Sequence, residues 1–168
     1  MRVLAGLAGV FALVAASCGG ASASFPEETE CPAPAPLATV RNQPGVVSTR
    51  AYVTRLRASA ETLERLRADL RGKYPEDTFY RRDGFRPDFA TYADQTVCTA
   101  QGMIDLTAPD ARFAGFDATL DAALADLIAH TRVGRAAVRA RNVSEYRDWY
   151  RGVDARIAAV RNAVGSQP

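Results

Sequence analysis

Apolar side chains recur along most of the chain at intervals of three and four residues, which is the spacing of one face of an α-helix. The first run consists of mostly large apolar residues: Tyr52, Leu56, Ala60, Leu63, Leu66 and Leu70. Ser48 lies just before the run, where its hydroxyl can cap a helix, and Gly72 lies just after it. The pattern predicts a first helix from Ser48 to about Arg71.

Three more runs with helical spacing follow. They predict a second helix over about 88–106 and a third that follows a break at 107–110 and extends to about 141. A fourth helix is predicted from Ser144, as its N-cap, to about Val164. The inward face of the third helix is predicted to contain Phe113, Phe116, Leu120, Leu124, Leu127, Thr131, Gly134 and Val138. No segment alternates convincingly as a strand does, so the predicted fold is all-α, an antiparallel four-helix bundle.

The segment before the first helix has no such periodicity. Within residues 19–46 lie clustered glutamates, then Cys31 followed by Pro-Ala-Pro-Ala-Pro, then Pro44 and Gly45. Alternating prolines prevent a helix and favour an extended backbone. We therefore expect residues 18–46 to form a flexible tether and a Pro-rich strap, and residues 47–168 to form the helical domain.

The N-terminus has the pattern of a secretory signal peptide. After Arg2, an apolar run extends from Val3 to Ala16, which is too short to span a bilayer as a helix. The residues Ala-Ala-Ser-Cys that end at Cys18 resemble a bacterial lipobox, although Ala15 stands where Leu is usual. This resemblance implies a signal peptide over 1–17, lipidation of Cys18 and a lipoprotein on the outer face of the cell membrane. The alternative is ordinary cleavage after Ala23, which gives a signal peptide over 1–23 and a secreted or periplasmic protein.

The cysteine count agrees with export. Lipidation uses Cys18 and ordinary cleavage removes it, so either route leaves Cys31 and Cys98. An even pair of cysteines in an oxidising compartment is typical of a disulfide. We predict a bond between Cys31 and Cys98 that joins the strap to the second helix.

Composition narrows the class of protein and its source. The chain has 168 residues, of which 48% are hydrophobic, enough for one domain with a core. Its formal net charge of +2 argues against a dedicated nucleic-acid binder. Lys73 is the single lysine among 21 basic residues, and Ala is abundant. Because Arg and Ala have GC-rich codons, the composition favours a high-GC bacterium.

Catalytic motifs are absent from the sequence: it has no C-x-x-C, H-E-x-x-H, G-x-x-x-x-G-K or G-x-S-x-G. His130, the single histidine, follows Asp126 by one helical turn, but a di-iron bundle requires Glu-x-x-His on two helices. We assign no catalytic residue, cofactor or metal. A non-catalytic binding protein is favoured over two alternatives, a carboxylate-based hydrolase of an envelope polymer and a small-ligand carrier such as a haem carrier.

The connection over 73–87 carries the strongest binding signal, because it combines irregular backbone with clustered aromatic and arginine side chains. The candidate partner-binding residues are Tyr80, Arg81, Arg82, Phe85 and Arg86. The expected partner is an envelope protein, a wall polymer or a small ligand, with the membrane reached through the lipid anchor. In the purely structural alternative, the aromatic rings cap one end of the bundle and the arginines stack on them. Tyr146 and Trp149, beside Arg147, form a weaker version of the same pattern, for which core packing is the favoured interpretation.

Overall fold

The structure is a computed structural model that describes residues 24–75 and 81–168. Its described part is mostly helical with little strand, which is compatible with the predicted all-α bundle. The four helices are α1 Thr49–Lys73, α2 Phe85–Ile104, α3 Ala114–Ala140 and α4 Val143–Gly165. A short 3-10 turn, Ala111–Phe113, precedes α3. Among the described residues, no helix has both the length and the apolar character needed to cross a membrane.

Some predicted helix boundaries agree with the structure and others do not. Ser48 is the N-cap of α1, where its hydroxyl accepts a hydrogen bond from the Ala51 amide at 3.5 Å. α1 continues through Gly72 to Lys73, and α3 ends at Ala140, close to its predicted end. α2 begins at Phe85, three residues earlier than predicted. Pro87 fits there because amides in the first helical turn have no intrahelical partner to lose.

The N-cap prediction for the fourth helix is wrong. Arg141 adopts a left-handed conformation with φ of 57° and ends α3. Asn142 then caps α4, and its side-chain oxygen accepts a hydrogen bond from the Glu145 amide at 3.4 Å. Ser144, the predicted cap, lies inside the helix. The turn between α3 and α4 is therefore tighter than the sequence indicated.

The strap contains a hairpin that the sequence pattern did not predict. Strands β1 Thr39–Val40 and β2 Gln43–Val47 pair in antiparallel fashion across a turn in which Asn42 has φ of 68°. Asn tolerates this left-handed conformation better than most residues. Strands this short, one of them containing Pro44, do not show the period of two by which strands are recognised.

The helices pack in a ring in which α1 contacts α2 and α4, and α3 also contacts α2 and α4. The predicted inward face of α3 is buried along its whole length. The helices α3 and α4 approach closely at Gly134, because a Cβ atom placed there would lie 2.5 Å from the Trp149 ring. Trp149 itself is fully buried among aromatic neighbours, including Phe89 with ring centroids 4.7 Å apart.

Substitution of Gly134 with Ala is expected to destabilise the protein by about 1–3 kcal/mol, since the methyl group overpacks against a rigid indole ring. Gly102→Ala in α2 is the matched control, because nothing lies within 4 Å of the position that its new Cβ atom would take. There we expect stabilisation of about 0.5–1 kcal/mol from improved helix propensity. Urea unfolding followed by circular dichroism measures both variants. Equal effects in the two variants would contradict the close approach of α3 and α4.

The predicted disulfide between Cys31 and Cys98 is present, with the two Cα atoms 5.0 Å apart. It joins the strap to α2. The strap is also held upstream of this bond, where the Glu28 carboxylate pairs with Arg132 at 2.9 Å and the Thr29 hydroxyl donates to Asp94 at 2.8 Å. Residues 28–31 of the strap thus lie along α2 and α3.

Candidate ligand-binding pocket

A pocket of about 840 Å³ lies at the end of the bundle where α2 begins and the chain turns from α3 into α4. The first described residues of the strap close one side of it. We call it the arginine pocket. Its lining consists of Ser24, Phe25, Pro26, Arg81, Arg82, Asp83, Gly84, Phe85, Arg86, Pro87, Ala137, Val138, Arg141, Asn142, Val143 and Tyr146.

The structure brings together four of the five predicted partner-binding residues. Arg81, Arg82 and Arg86 line the arginine pocket, and Phe85 lies beneath them, fully buried. Tyr80 lies outside the described residues. Phe85 therefore belongs to the inner surface of the pocket and packs as a core residue, as the structural alternative expected of the aromatic rings.

Sequence reasoning missed the residues that other parts of the chain contribute to the pocket. Arg141 comes from the turn between α3 and α4, and Phe25 comes from the strap. Tyr146 was assigned to core packing, and it is 1% exposed, yet it also lines the pocket. Phe25 did have a signal in the sequence, since it is the aromatic residue of an otherwise polar and proline-rich segment.

The inner surface of the arginine pocket is apolar and rigid. Phe85 packs edge-on against Tyr146 with ring centroids 5.5 Å apart, and against Tyr74 at 5.3 Å. Ala137 and Val138, from the last turn of α3, complete this surface and are buried. Interlocked edge-to-face rings leave little freedom to rearrange, so the surface is preformed.

Positive charge is concentrated at the rim of the arginine pocket. Its described lining contains four arginines and Asp83 as its one carboxylate, whereas the whole chain has a net charge of only +2. Arg81, Arg82 and Arg141 are exposed, and Arg86 is half-buried. Within residues 24–75 and 81–168, neither Arg82 nor Arg141 forms an ion pair with a carboxylate. The rim therefore attracts negatively charged groups.

The strap wall of the pocket is held by a buried arginine. The Phe25 ring lies against the Arg86 and Arg135 guanidinium groups, whose Cζ atoms are 5.4 and 5.3 Å from the ring centroid. Arg135 donates to the Pro26 carbonyl at 2.7 Å and pairs with Asp94 at 2.5 Å. Since Arg135 and Asp94 are both largely buried, this network fixes the strap to α2 and α3.

The titratable groups behind the pocket remain in their ordinary charge states at neutral pH. Burial, together with a hydrogen bond to Asp88, raises the pKa of Tyr74 to about 12. Hydrogen bonds from Lys73 and Tyr74 lower the pKa of Asp88. A protonated phenol and an ionised carboxylate at pH 7 tie the end of α1 to the start of α2.

His130 and Asp126 each have a partner other than one another. The His130 Nε2 atom lies 3.0 Å from the Trp149 carbonyl oxygen, and burial lowers the pKa of this histidine. Asp126 pairs instead with Arg156 at 3.0 Å. In the described part of the chain, no group of three or more His, Cys, Asp or Glu side chains is arranged to hold a metal ion. Cys18 and both predicted signal-peptide boundaries lie outside the described residues.

Comparison with known proteins adds no relative to these observations. No protein-family model matches the chain, and neither a curated protein nor a solved structure matches it. Function must therefore be inferred from the residues of the arginine pocket.

Proposed function

We propose that this chain is a small exported binding protein of a bacterial cell envelope, without catalytic activity, anchored to the membrane through Cys18. In this proposal residues 1–17 are the signal peptide and residues 18–46 form the tether and strap. Residues 47–168 form an antiparallel four-helix bundle. The arginine pocket is the binding site, and its ligand or partner comes from the envelope.

One observation carries the proposal: the arginine pocket combines a preformed apolar inner surface with convergent charged groups from separate parts of the chain. Binding sites for small molecules are typically concave, mainly apolar and preformed, with a few polar groups that give orientation. The rim guanidinium groups of Arg82 and Arg141 have no carboxylate partner in the described part of the chain. Two such exposed charges contribute little to the free energy of folding, so their position beside an apolar surface supports a role in ligand binding.

The chemistry of the lining supports binding over catalysis. Arginine side chains hold anions but do not exchange protons at neutral pH, because the guanidinium pKa lies far above it. The described lining contains no histidine or cysteine, and its single carboxylate, Asp83, is exposed. A hydrolase that works with carboxylates uses two of them on opposite sides of the reacting bond.

The binding site can be tested with a paired substitution at the rim. Arg81→Ala with Arg82→Ala should reduce capture of envelope material by about tenfold or more, because charge-assisted hydrogen bonds are lost. The free energy of unfolding should change little, since exposed charges contribute little to folding. Capture is measured by immobilising each variant and quantifying the compounds retained from an envelope extract.

The control for this pair is Arg57→Ala with Arg65→Ala, which removes the same charge from exposed positions on α1. This double variant should capture as much envelope material as the wild type. Full capture by the Arg81 and Arg82 variant would place the binding site elsewhere.

The lipid anchor is tested separately. Metabolic labelling with palmitate should mark the wild-type chain and not the Cys18→Ala variant, because Cys18 is the proposed acceptor. A mature N-terminus at Ser24 would disprove lipidation and leave export intact.

A further inference from the structure

We infer that the ligand of the arginine pocket is a small amphiphilic anion, with a carboxylate or phosphate head and an apolar body. This inference rests on the proposed function, in which the arginine pocket is the binding site. It specifies the chemical class of the ligand and the direction in which that ligand enters.

The two kinds of surface in the pocket are separated by depth. The exposed guanidinium groups of Arg81, Arg82 and Arg141 lie at the rim, whereas Phe85, Tyr146 and other buried side chains form the inner surface. A ligand that satisfies both surfaces must be charged at one end and apolar at the other. Its head then stays at the rim, near solvent, and its body packs against the aromatic rings.

The rim favours an oxyanion head. Arg82 belongs to the turn before α2 and Arg141 to the turn before α4, so the two guanidinium groups reach the pocket from different sides. Planar guanidinium groups form paired hydrogen bonds with the two oxygens of a carboxylate or phosphate. The first residues of α2 and α4 line this region, and so does the last turn of α3, so the helix ends largely offset one another and the guanidinium groups dominate the charge.

The size of the pocket favours a small molecule over a folded partner. Its volume of about 840 Å³ falls within the range of about 300–1,000 Å³ that is usual for small-molecule sites. Phe25 and Pro26, fixed by Arg135, close one side and add further apolar contact. A single alkyl chain or a ring system would pack against the inner surface, whereas a protein surface would meet only the rim.

The test uses the proposed mature chain, residues 18–168, with Cys18→Ala. This protein has neither the apolar leader nor a lipid, so it needs no detergent that would compete for the pocket. Isothermal titration calorimetry measures decanoate, decyl phosphate and decyltrimethylammonium below their micellar concentrations, and inorganic phosphate as the head alone. Hexyl and octyl phosphate complete a chain-length series. Two double variants are compared. The pocket variant carries Arg82→Ala and Arg141→Gly, and the charge-matched control variant carries Arg57→Ala and Arg65→Ala. Glycine is chosen because Arg141 has φ of 57°, which glycine adopts without strain.

We expect the anionic decyl compounds to bind, with the affinity rising about three- to fourfold for each added methylene group as more apolar surface is buried. The pocket variant should lose about tenfold or more in affinity, and the control variant less than about twofold. A difference between decanoate and decyl phosphate identifies which head is preferred. Equal binding of decyltrimethylammonium, an affinity independent of chain length, or equal losses in both variants would overturn the inference.

The two proposals fail in different ways. If decyl anions do not bind but capture from the envelope extract still depends on Arg81 and Arg82, the ligand class is wrong and the binding role stands. If capture is also independent of these arginines, the proposed function fails as well.

Discussion

Replacement of Leu127 with Ala is expected to lower the free energy of unfolding by about 2–5 kcal/mol. Leu127 lies in the middle of α3 and is 0% exposed. The loss combines the removed transfer free energy with the cavity left behind, and interlocked neighbours in a ring of four helices relax only partly. Denaturant titration followed by circular dichroism measures the change.

Val133 on the same helix provides the matched control. It is 51% exposed, so Val133→Ala removes little packing and slightly improves helix propensity. We expect a change within about 0.5 kcal/mol. If Leu127→Ala were as mild as Val133→Ala, α3 would not present the predicted inward face to the core.

The inward faces of the helices were predictable because the helical period repeats over many residues in each element. In α3, a single residue that breaks the pattern does not obscure a buried face that continues from Phe116 to Val138. The boundaries were less predictable because single residues decide them. Gly84 and Arg141 both take positive φ values, and each shifts the start of the next helix.

Buried charge was the feature of the core that periodicity could not reveal. Arg67 lies on the inner side of α1, where it donates to Asp154 at 2.6 Å and packs over the Tyr150 ring. Burial of this side chain depends on a carboxylate and a ring that α4 supplies, 80 or more residues later in the chain. The order of polar and apolar residues in α1 alone therefore does not predict the pairing of Arg67 with Asp154.

The candidate site was predictable only in part, because some of its residues are close together in the sequence and others are brought together by folding. The arginines of the 73–87 connection stand together in the sequence and also stand together in the structure. Arg141 and Phe25 join them only because the turn before α4 and the strap fold to the same end of the bundle. Local clustering thus identified one side of the arginine pocket, while its other sides depend on tertiary packing.

Removal of the disulfide is expected to destabilise the protein by up to about 4.4 kcal/mol, because the bond closes a loop of 67 residues and restricts the unfolded chain. The variant is Cys31→Ser with Cys98→Ser, and the measurement is thermal unfolding at equal protein concentration. The contacts of Glu28, Thr29 and Arg135 hold the strap only while it lies near α2 and α3, so they cannot replace the covalent bond.

The same substitution should act on ligand binding, because the strap supplies one wall of the arginine pocket. When the bond is lost, Phe25 and Pro26 depend on Arg135 and its neighbours alone, and the pocket loses apolar contact whenever that network opens. Decyl phosphate should therefore bind several-fold more weakly, by about 1 kcal/mol for partial loss of the Phe25 contact, whereas inorganic phosphate at the rim should be little affected. A reducing agent provides the control, since it should lower the unfolding temperature of the wild type to that of the double variant and leave the double variant unchanged. An unfolding temperature of the wild type that does not respond to reduction would show that the strap is held without the disulfide.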